Sequence, residues 1–483
     1  MTRLVAGVDC STQSTKVVLV DVETGRVVAQ GHAPHAVEGS DGARETHPDV
    51  WWEALRKALA QTERAAEVAA ISIAGQQHGL VCLDGSGRPI RPAALWNDTR
   101  AGPDAARLVQ ALGGGAAWAE RVGIVPVASF TASKWAWLRR VEPDAAARTA
   151  AIRLPHDYMT GLLTGNGVTD RGDASGTAWW STATEGYLPE VMALPELSLD
   201  AALLPRVLGP GEAAGTVTEQ AAAATGLPAG AVVGPGTGDN MGAALGLGLR
   251  PGVPTVSLGT SGTVFMVSET RPVDPSGDVA GFADATGRFL PLACTLNCTL
   301  AVDRVAAWLN LQRDEVAPSE GVVALPYFDG ERTPNLPSAA AAVFGMRHDT
   351  SPRAILMATY EGVAVSLLDA LDTIDRCSSG VDPAAPLVLV GGGAKGRTWQ
   401  EVVRRLSGRP VSIPEATELV AIGAAVQAAA VLLGQAPQDV AERWQTGHGT
   451  LLPAIERDSS AIERHREVRR LAIPAVAGED ERA

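Results

Sequence analysis

Residues 3–21, RLVAGVDCSTQSTKVVLVD, contain two valine-rich runs joined by a cluster of small hydroxyl residues. Valine favours the extended backbone, and the polar residues at 11–14 punctuate it. The stretch therefore reads as a hairpin: strand 3–9, a short turn, strand 15–21. The glycine turn in DVETGRV leads into GRVVAQG (25–31), a third strand of the same meander. Pro48 near the start of HPDVWWEALRKALAQTERAAE, with Trp51, Leu55 and Leu59 at every fourth position, predicts an amphipathic helix. VAAISIAG (68–75) then reads as a short apolar strand ending in glycine.

A related order recurs later. VPTVSLGTSGTVFMVSE (253–269) is again strand, small-residue turn, strand. SPRAILMATYEGVAVSLLDALDTI (351–374) predicts a long helix with an apolar face, and APLVLVGGGAKGRTWQEVVRRLSG (385–408) predicts strand, glycine turn and helix. Each half thus carries a hairpin and a later strand ending in glycines, a weak internal repeat rather than a short solenoid period. The join is expected just after 234–248. This gives an N-terminal unit over 1–245, a C-terminal unit over 246–440 and a helical, charged tail over 441–483. The last residues, AGEDERA, are expected to fray.

Composition narrows the function. A chain of 483 residues exceeds one ordinary core, and 46% hydrophobic with 19% charged residues is a globular balance. The net charge of −14, with no basic stripe, argues against nucleic acid as a partner. A phosphate ligand remains compatible, because a few backbone N–H groups and a metal ion make a local anion site in an acidic protein. Five cysteines without a CxxC pair point to a reducing compartment, and Cys294 and Cys298, lacking a second ligand pair, read as core thiols. No leader pattern opens the chain and no run of about 18 apolar residues occurs, so neither membrane contact nor export is expected and the cytoplasm is the expected location.

Six stretches could carry chemistry. In DCSTQSTK (9–16) the small residues leave backbone N–H groups open to phosphate oxygens, and Asp9 suits a hydrated Mg²⁺; a polar turn whose Asp bonds its own backbone is the plainer alternative. LGTSGT (258–263) repeats the design in the second half. Two such turns facing one cleft suit a nucleoside triphosphate. VGGGAKGRTW (390–399) places glycines between a strand and a helix, where a nucleotide can approach bare backbone; it is neither GxGxxG nor a P-loop. GQQHG (75–79) gathers Gln76, Gln77 and His78 at a strand end, and LWNDTR (95–100) adds Trp96 and Asn97. Amides, an imidazole and an indole suit a polyhydroxylated ligand, while Asp98 and Arg100 can pair with each other. Finally, Asp239 is the one ionisable side chain in GPGTGDNMGAALGLG (234–248). It reads either as a helix cap or as a general base for a substrate hydroxyl, and the two roles are compatible.

These stretches, with LPYFDGERTPNLP (325–337), occur in the order seen in the FGGY carbohydrate kinases, and the chain resembles that family from about residue 4 to about 430. The resemblance implies an α/β fold of two ribonuclease-H-like domains, of the actin, hexokinase and Hsp70 type, with ATP and sugar in the cleft between them. It implies Asp239 as base, Asn240, Gln77 and His78 as sugar contacts beside Trp96 and Asn97, and Asp9 as the Mg²⁺ residue. Thr12 falls in the first phosphate hairpin and Gly259, Thr260 and Ser261 in the second; Gly392 and Gly393 fall on the adenine side, and Trp308 flanks the nucleotide. The GQxHG form resembles the members that phosphorylate D-xylulose, and the family commonly forms dimers. Ser11 stands where many members have glycine, Gln77 where one bacterial form has Met, and Ala354 where a polar residue is usual. Another ketose, a polyol or gluconate is the alternative substrate; a non-catalytic actin-like ATPase switch is the alternative class.

Overall fold

The computed structural model describes residues 3–378 and 380–476, so AGEDERA (477–483), expected to fray, lies outside the described residues. Two seven-stranded sheets form the frame. Numbering only their strands, the first holds β1 (Leu4–Cys10), β2 (Ser14–Asp21), β3 (Val27–Pro34), β4 (Val68–Gly75), β5 (Gly215–Thr216), β6 (Val232–Val233) and β7 (Thr237–Gly238). Their order is β5-β6-β4-β1-β2-β3, with β7 also on β4. β1, β2 and β3 run antiparallel as the meander predicts, whereas β4 joins β1 in parallel.

The second sheet holds β8 (Thr255–Leu258), β9 (Gly262–Phe265), β10 (Val279–Ala283), β11 (Phe289–Thr295), β12 (Leu387–Val390), β13 (Val411–Pro414) and β14 (Gly449–Leu452). Its order is β10-β11-β9-β8-β12-β13-β14. Here too an antiparallel hairpin, β8–β9, is continued by a parallel strand, β12, beside its first member. The internal repeat is therefore one of topology. The tail departs from its expected helical form: β14 pairs antiparallel with β13 and closes the edge of the sheet before the last helix begins. Gly449 meets Ile413 too closely for any side chain, a contact that local helix propensity does not register.

Both faces of β1 are buried, which is why it reads LVAGVDC without clean alternation. One face packs on α1 (Asp49–Gln61), whose Trp51, Leu55 and Leu59 are fully buried as the spacing predicts. The second sheet is backed by α3 (Pro352–Ser378) and α4 (Arg397–Ser407), with Tyr360 stacked edge-on against Trp399. α3 is long and apolar enough to cross a bilayer by composition, a pattern the sequence reading did not register. Its Val363, Leu367, Ala370 and Ile374 are buried in the core instead. α5 (Leu419–Leu433) lies between β13 and β14 in the chain yet packs on the other face of the first sheet, with Ala421 and Ala425 in one core with Val5 and Val18. It crosses α2 (Asp239–Gly246) at backbone contact: a Cβ on Gly423 would stand 1.9 Å from the Gly242 carbonyl. α6 (Ser459–Val476) closes the chain against the second half, with His465 bonded to the Ala324 carbonyl.

Candidate active site

β4 ends at Gly75, and the next three residues form a polar floor. Gln76, Gln77 and His78 are all buried. His78 adopts a left-handed backbone, φ 66°, sparsely populated by residues with a side chain. A buried lysine helps to hold it there: Lys134, from helix Thr131–Val141, donates to the carbonyls of His78 at 3.2 Å and of Ser129. Burial pushes the Lys134 amine down to about 7. The His78 ring lies edge-on to Phe130 at 4.9 Å and near Phe282 of β10 at 5.5 Å, so both halves wall it in. Burial, and then the charges of Lys134 and Arg332, hold its imidazole well below the ordinary range. Near pH 7 it is neutral, able to offer one donor and one acceptor.

Four buried polar atoms here lack partners: Gln76 Oε1, Gln77 Nε2, His78 Nδ1 and Asn97 Oδ1. Buried polar groups are nearly always hydrogen-bonded within a protein, so this concentration fits a place for a ligand rich in hydroxyls. Trp96 is 39% exposed, and its indole N–H donates to Thr12 Oγ1 at 2.9 Å. A residue expected on the sugar side is thereby tied to the first hairpin. Asp98 is occupied structurally, accepting from Arg100 and from the Arg44 backbone.

Asp239 is the first residue of α2, one position inside the cap Gly238. Its Oδ1 accepts from the backbone N–H of Asn240 at 2.8 Å and from Asn240 Nδ2 at 2.9 Å; the same amide donates to Gln77 Oε1 at 2.9 Å. Two of the proposed sugar residues, Asn240 and Gln77, and the carboxylate are thus one hydrogen-bonded chain. Oδ1 is committed, and Oδ2 is left for chemistry. A helix N-terminus favours carboxylate, but burial outweighs it and, with the charge of Asp9, pushes Asp239 up to about 7. Asp9, at the end of β1, is itself pushed up to about 6 by burial; its Oδ1 accepts from Ser11 Oγ at 2.7 Å. Lys16 is 4.0 Å from Asp9 but bonds Glu418 at 2.8 Å. Among the described residues no group of three or more His, Cys, Asp or Glu side chains is arranged to hold a metal. A single buried carboxylate with a free oxygen fits Mg²⁺, which takes one or two carboxylates and fills its shell with phosphate and water.

The second hairpin tip, Gly259–Ser261, is anchored to the start of helix Thr299–Trp308: the Gly259 carbonyl accepts from Thr299 N–H at 3.0 Å and Oγ1 at 2.8 Å. The glycine turn after β12 packs on the same hairpin. A Cβ at Gly393 would meet Leu258 and Thr299 within 3 Å, whereas one at Gly392 would meet nothing within 4 Å. Gly392 lines a cavity of about 250 Å³ between β12 and β13, with Lys395 and Thr417 on its wall. Gly393 therefore does packing work and Gly392 faces open space. Trp308, 66% exposed, lines a different cavity of about 500 Å³ with Leu300 and Phe328. The structure does not bring it to the Gly392 cavity.

Sequence reasoning passed over Lys134, Phe130, Phe282 and Arg332. Lys134 lies in SKWAWLRR, which reads as an ordinary helix, and its burial depends on a partner loop 56 residues away. Only the polar residues flanking the glycines carried a local signal.

The comparisons agree with this geometry. Residues 4–246 match the N-terminal domain, and residues 255–432 the C-terminal domain, of the FGGY family of carbohydrate kinases. The chain is 59% identical over 464 residues to a xylulose kinase of Streptomyces coelicolor and 58% identical to one of Streptomyces rubiginosus, each alignment covering 95% of both chains. A solved xylulose kinase structure from Bifidobacterium adolescentis superposes with a TM-score of 0.85 at 37% identity, covering 97% of this chain and 99% of that one. With the doubled sheet topology, the two domain matches and relatives alike along nearly their whole length, the chain belongs to the FGGY family of carbohydrate kinases.

Proposed function

We propose that the chain transfers the γ-phosphoryl group of ATP to the 5-hydroxyl of D-xylulose, with Asp239 as general base. The observation that carries the reading is the linked set at the end of β4. A carboxylate with one free oxygen joins through Asn240 to Gln77, beside four unpartnered polar atoms. The names of the relatives support the substrate.

In this reading Gln76, Gln77, His78 and Asn97 take the sugar hydroxyls. The 5-hydroxyl oxygen bonds to the γ-phosphorus as the bond from phosphorus to the ADP oxygen breaks, and the hydroxyl proton passes to Asp239 Oδ2. A base with its proton affinity near neutrality is ionised often enough to accept, yet basic enough to help. Thr12 with its hairpin and Gly259–Ser261 cradle the phosphates, and Gly392 borders the adenine. Asp9 would hold Mg²⁺, which neutralises developing charge on the phosphate oxygens. The join of two functional units near residue 245, a cytoplasmic location, freedom from nucleic acid and membrane, and a homodimer belong to the same proposal.

ADP release with Mg²⁺-ATP, measured without sugar and with D-xylulose, L-ribulose, D-ribulose, glycerol or gluconate, tests it. Strong stimulation by D-xylulose is expected. Stimulation by another of these compounds alone would overturn the substrate, and none at all would overturn the kinase reading.

A further inference from the structure

Behind the floor of the site lies a buried acidic cluster that neither the sequence reading nor the proposed chemistry uses. His156 Nε2 is 3.2 Å from Asp170 Oδ1 and 3.3 Å from both Asp157 Oδ1 and Asp173 Oδ2; all four side chains are buried. Three carboxylates around one imidazole are costly to bury, and apolar side chains would serve stability as well. Burial raises Asp157 and Asp173, while the surrounding carboxylates draw His156 up to about 9, so the imidazole is cationic at neutral pH.

Asp170 is the hub. Its two oxygens cap helix Arg171–Ser175, accepting from the N–H of Gly172 at 2.8 Å and of Asp173 at 3.0 Å. A cap needs no more than that. Yet Oδ1 also faces His156, and Oδ2 accepts from Thr237 Oγ1 at 3.2 Å. Thr237 and Gly238 form β7, and the next residue is Asp239. The same short helix reaches the sugar floor, because a Cβ on Gly176 would stand 2.4 Å from the His78 ring. It reaches the second half as well: Ser175 Oγ accepts from the Ala283 N–H, and Arg171 donates to the Arg288 carbonyl.

We propose that Asp170, which lies against His156, is a positioning residue for the base: through Thr237 it fixes β7 and hence the place from which the Asp239 carboxylate meets the hydroxyl. The inference rests on Asp239 being the base. The Thr237 hydroxyl is the narrowest link in the chain from Asp170 to Asp239, so it is the place to cut. An error of about 1 Å in a reacting group costs on the order of a hundredfold in rate.

The test compares wild type with Thr237→Val, Thr237→Ala, Thr237→Ser, His156→Gln and Asp239→Asn, with D-xylulose and Mg²⁺-ATP. Thr237→Val keeps the shape and removes the donor; Thr237→Ala removes it with less bulk, so a misfolded valine variant leaves the question answerable. The expected result is a kcat lower by roughly ten- to a hundredfold for Thr237→Val, Thr237→Ala and His156→Gln, with KM for D-xylulose within about twofold. Thr237→Ser restores most of the rate. Wild-type kcat in Thr237→Ala, or a fall in kcat matched by a rise in KM, overturns the positioning role. The base reading fails separately: it does so if Asp239→Asn keeps near-normal kcat, whatever the Thr237 variants show.

Discussion

Replacing Asp239 with Asn should abolish phosphoryl transfer and at the same time make the protein more stable. Asn presents the same Oδ1, so both hydrogen bonds from Asn240 survive, at 2.8 and 2.9 Å, and the shape of the site is unchanged. What disappears is the charge. Burial and Asp9 move this carboxyl from 3.8 to about 7, so the folded state holds a proton that the unfolded chain has released. The displacement corresponds to about 4 kcal/mol if wholly expressed, and water reaching a part-exposed side chain reduces this to about 2 kcal/mol.

The sign follows from linkage. Between pH 4 and pH 7 the folded protein binds more protons at this site than the unfolded one, so wild-type stability falls as pH rises through that window and is lowest above it. The neutral amide carries no such penalty. The gain of Asp239→Asn should therefore be close to zero at pH 4, grow through pH 5–7, and level off above pH 7. For a chain of this size about 2 kcal/mol moves the midpoint by about 2 °C. Thermal unfolding of both proteins at pH 5 and pH 8, in parallel with ADP release, is the assay. A variant less stable than wild type at pH 8, or a difference that does not change with pH, would refute the claim that burial sets the proton affinity of this group.

Three further outcomes are expected. Lys134→Met removes the donor that holds the His78 carbonyl, so KM for D-xylulose should rise by about tenfold while KM for ATP stays put, as steady-state kinetics with each substrate varied would show. Gly392→Ala should fold normally, because its Cβ meets nothing, yet weaken ATP; Gly393→Ala should lose at least 1 kcal/mol of stability through its contact with Leu258, seen as a lower unfolding midpoint. Asp9→Asn should raise the Mg²⁺ concentration needed for half-maximal rate and, by removing a neighbouring charge, lower the pH at which Asp239 titrates; a Mg²⁺ titration and a pH–rate profile read the two effects separately.

The hairpins, the helix at 49–61 and the glycine-ended strands were legible because each is written in neighbouring residues: valine runs, a four-residue apolar spacing, small turn residues. Asp239 was legible for a different reason, a lone charge among glycines. The rest depends on who meets whom across the fold. LPHDY (154–158) and TDRGDASGT (169–177) look like an ordinary helix start and a polar loop, and nothing local says that His156 and Asp170 touch. β14 was hidden because its partner lies 38 residues earlier at the sheet edge. Trp308, which the resemblance sets beside the nucleotide, lines one cavity and Gly392 another, a separation that no local pattern announces.

The position of Asp239 also follows from how the halves meet. α2 leaves the last strand of the first half, α5 comes from the second, and the two cross where Gly242, Gly246 and Gly423 remove every side chain that would hold them apart. Beside the crossing, Gln427 of α5 accepts from Ser72 Oγ of β4 at 2.6 Å and donates to the Gly236 carbonyl at 2.9 Å, so the second half grips the strand and the loop that flank Asp239. A rotation of one half against the other pivots most easily at such a close contact, where neither backbone can slide without collision. The rims of the cleft, carrying Trp96 on one side and the Gly259–Ser261 tip on the other, then travel furthest, and a carboxylate at the head of α2 travels least. If Asp239 is the base proposed above, its place at this crossing would keep the carboxylate aligned with Gln77 and Asn240 while the rims of the cleft close.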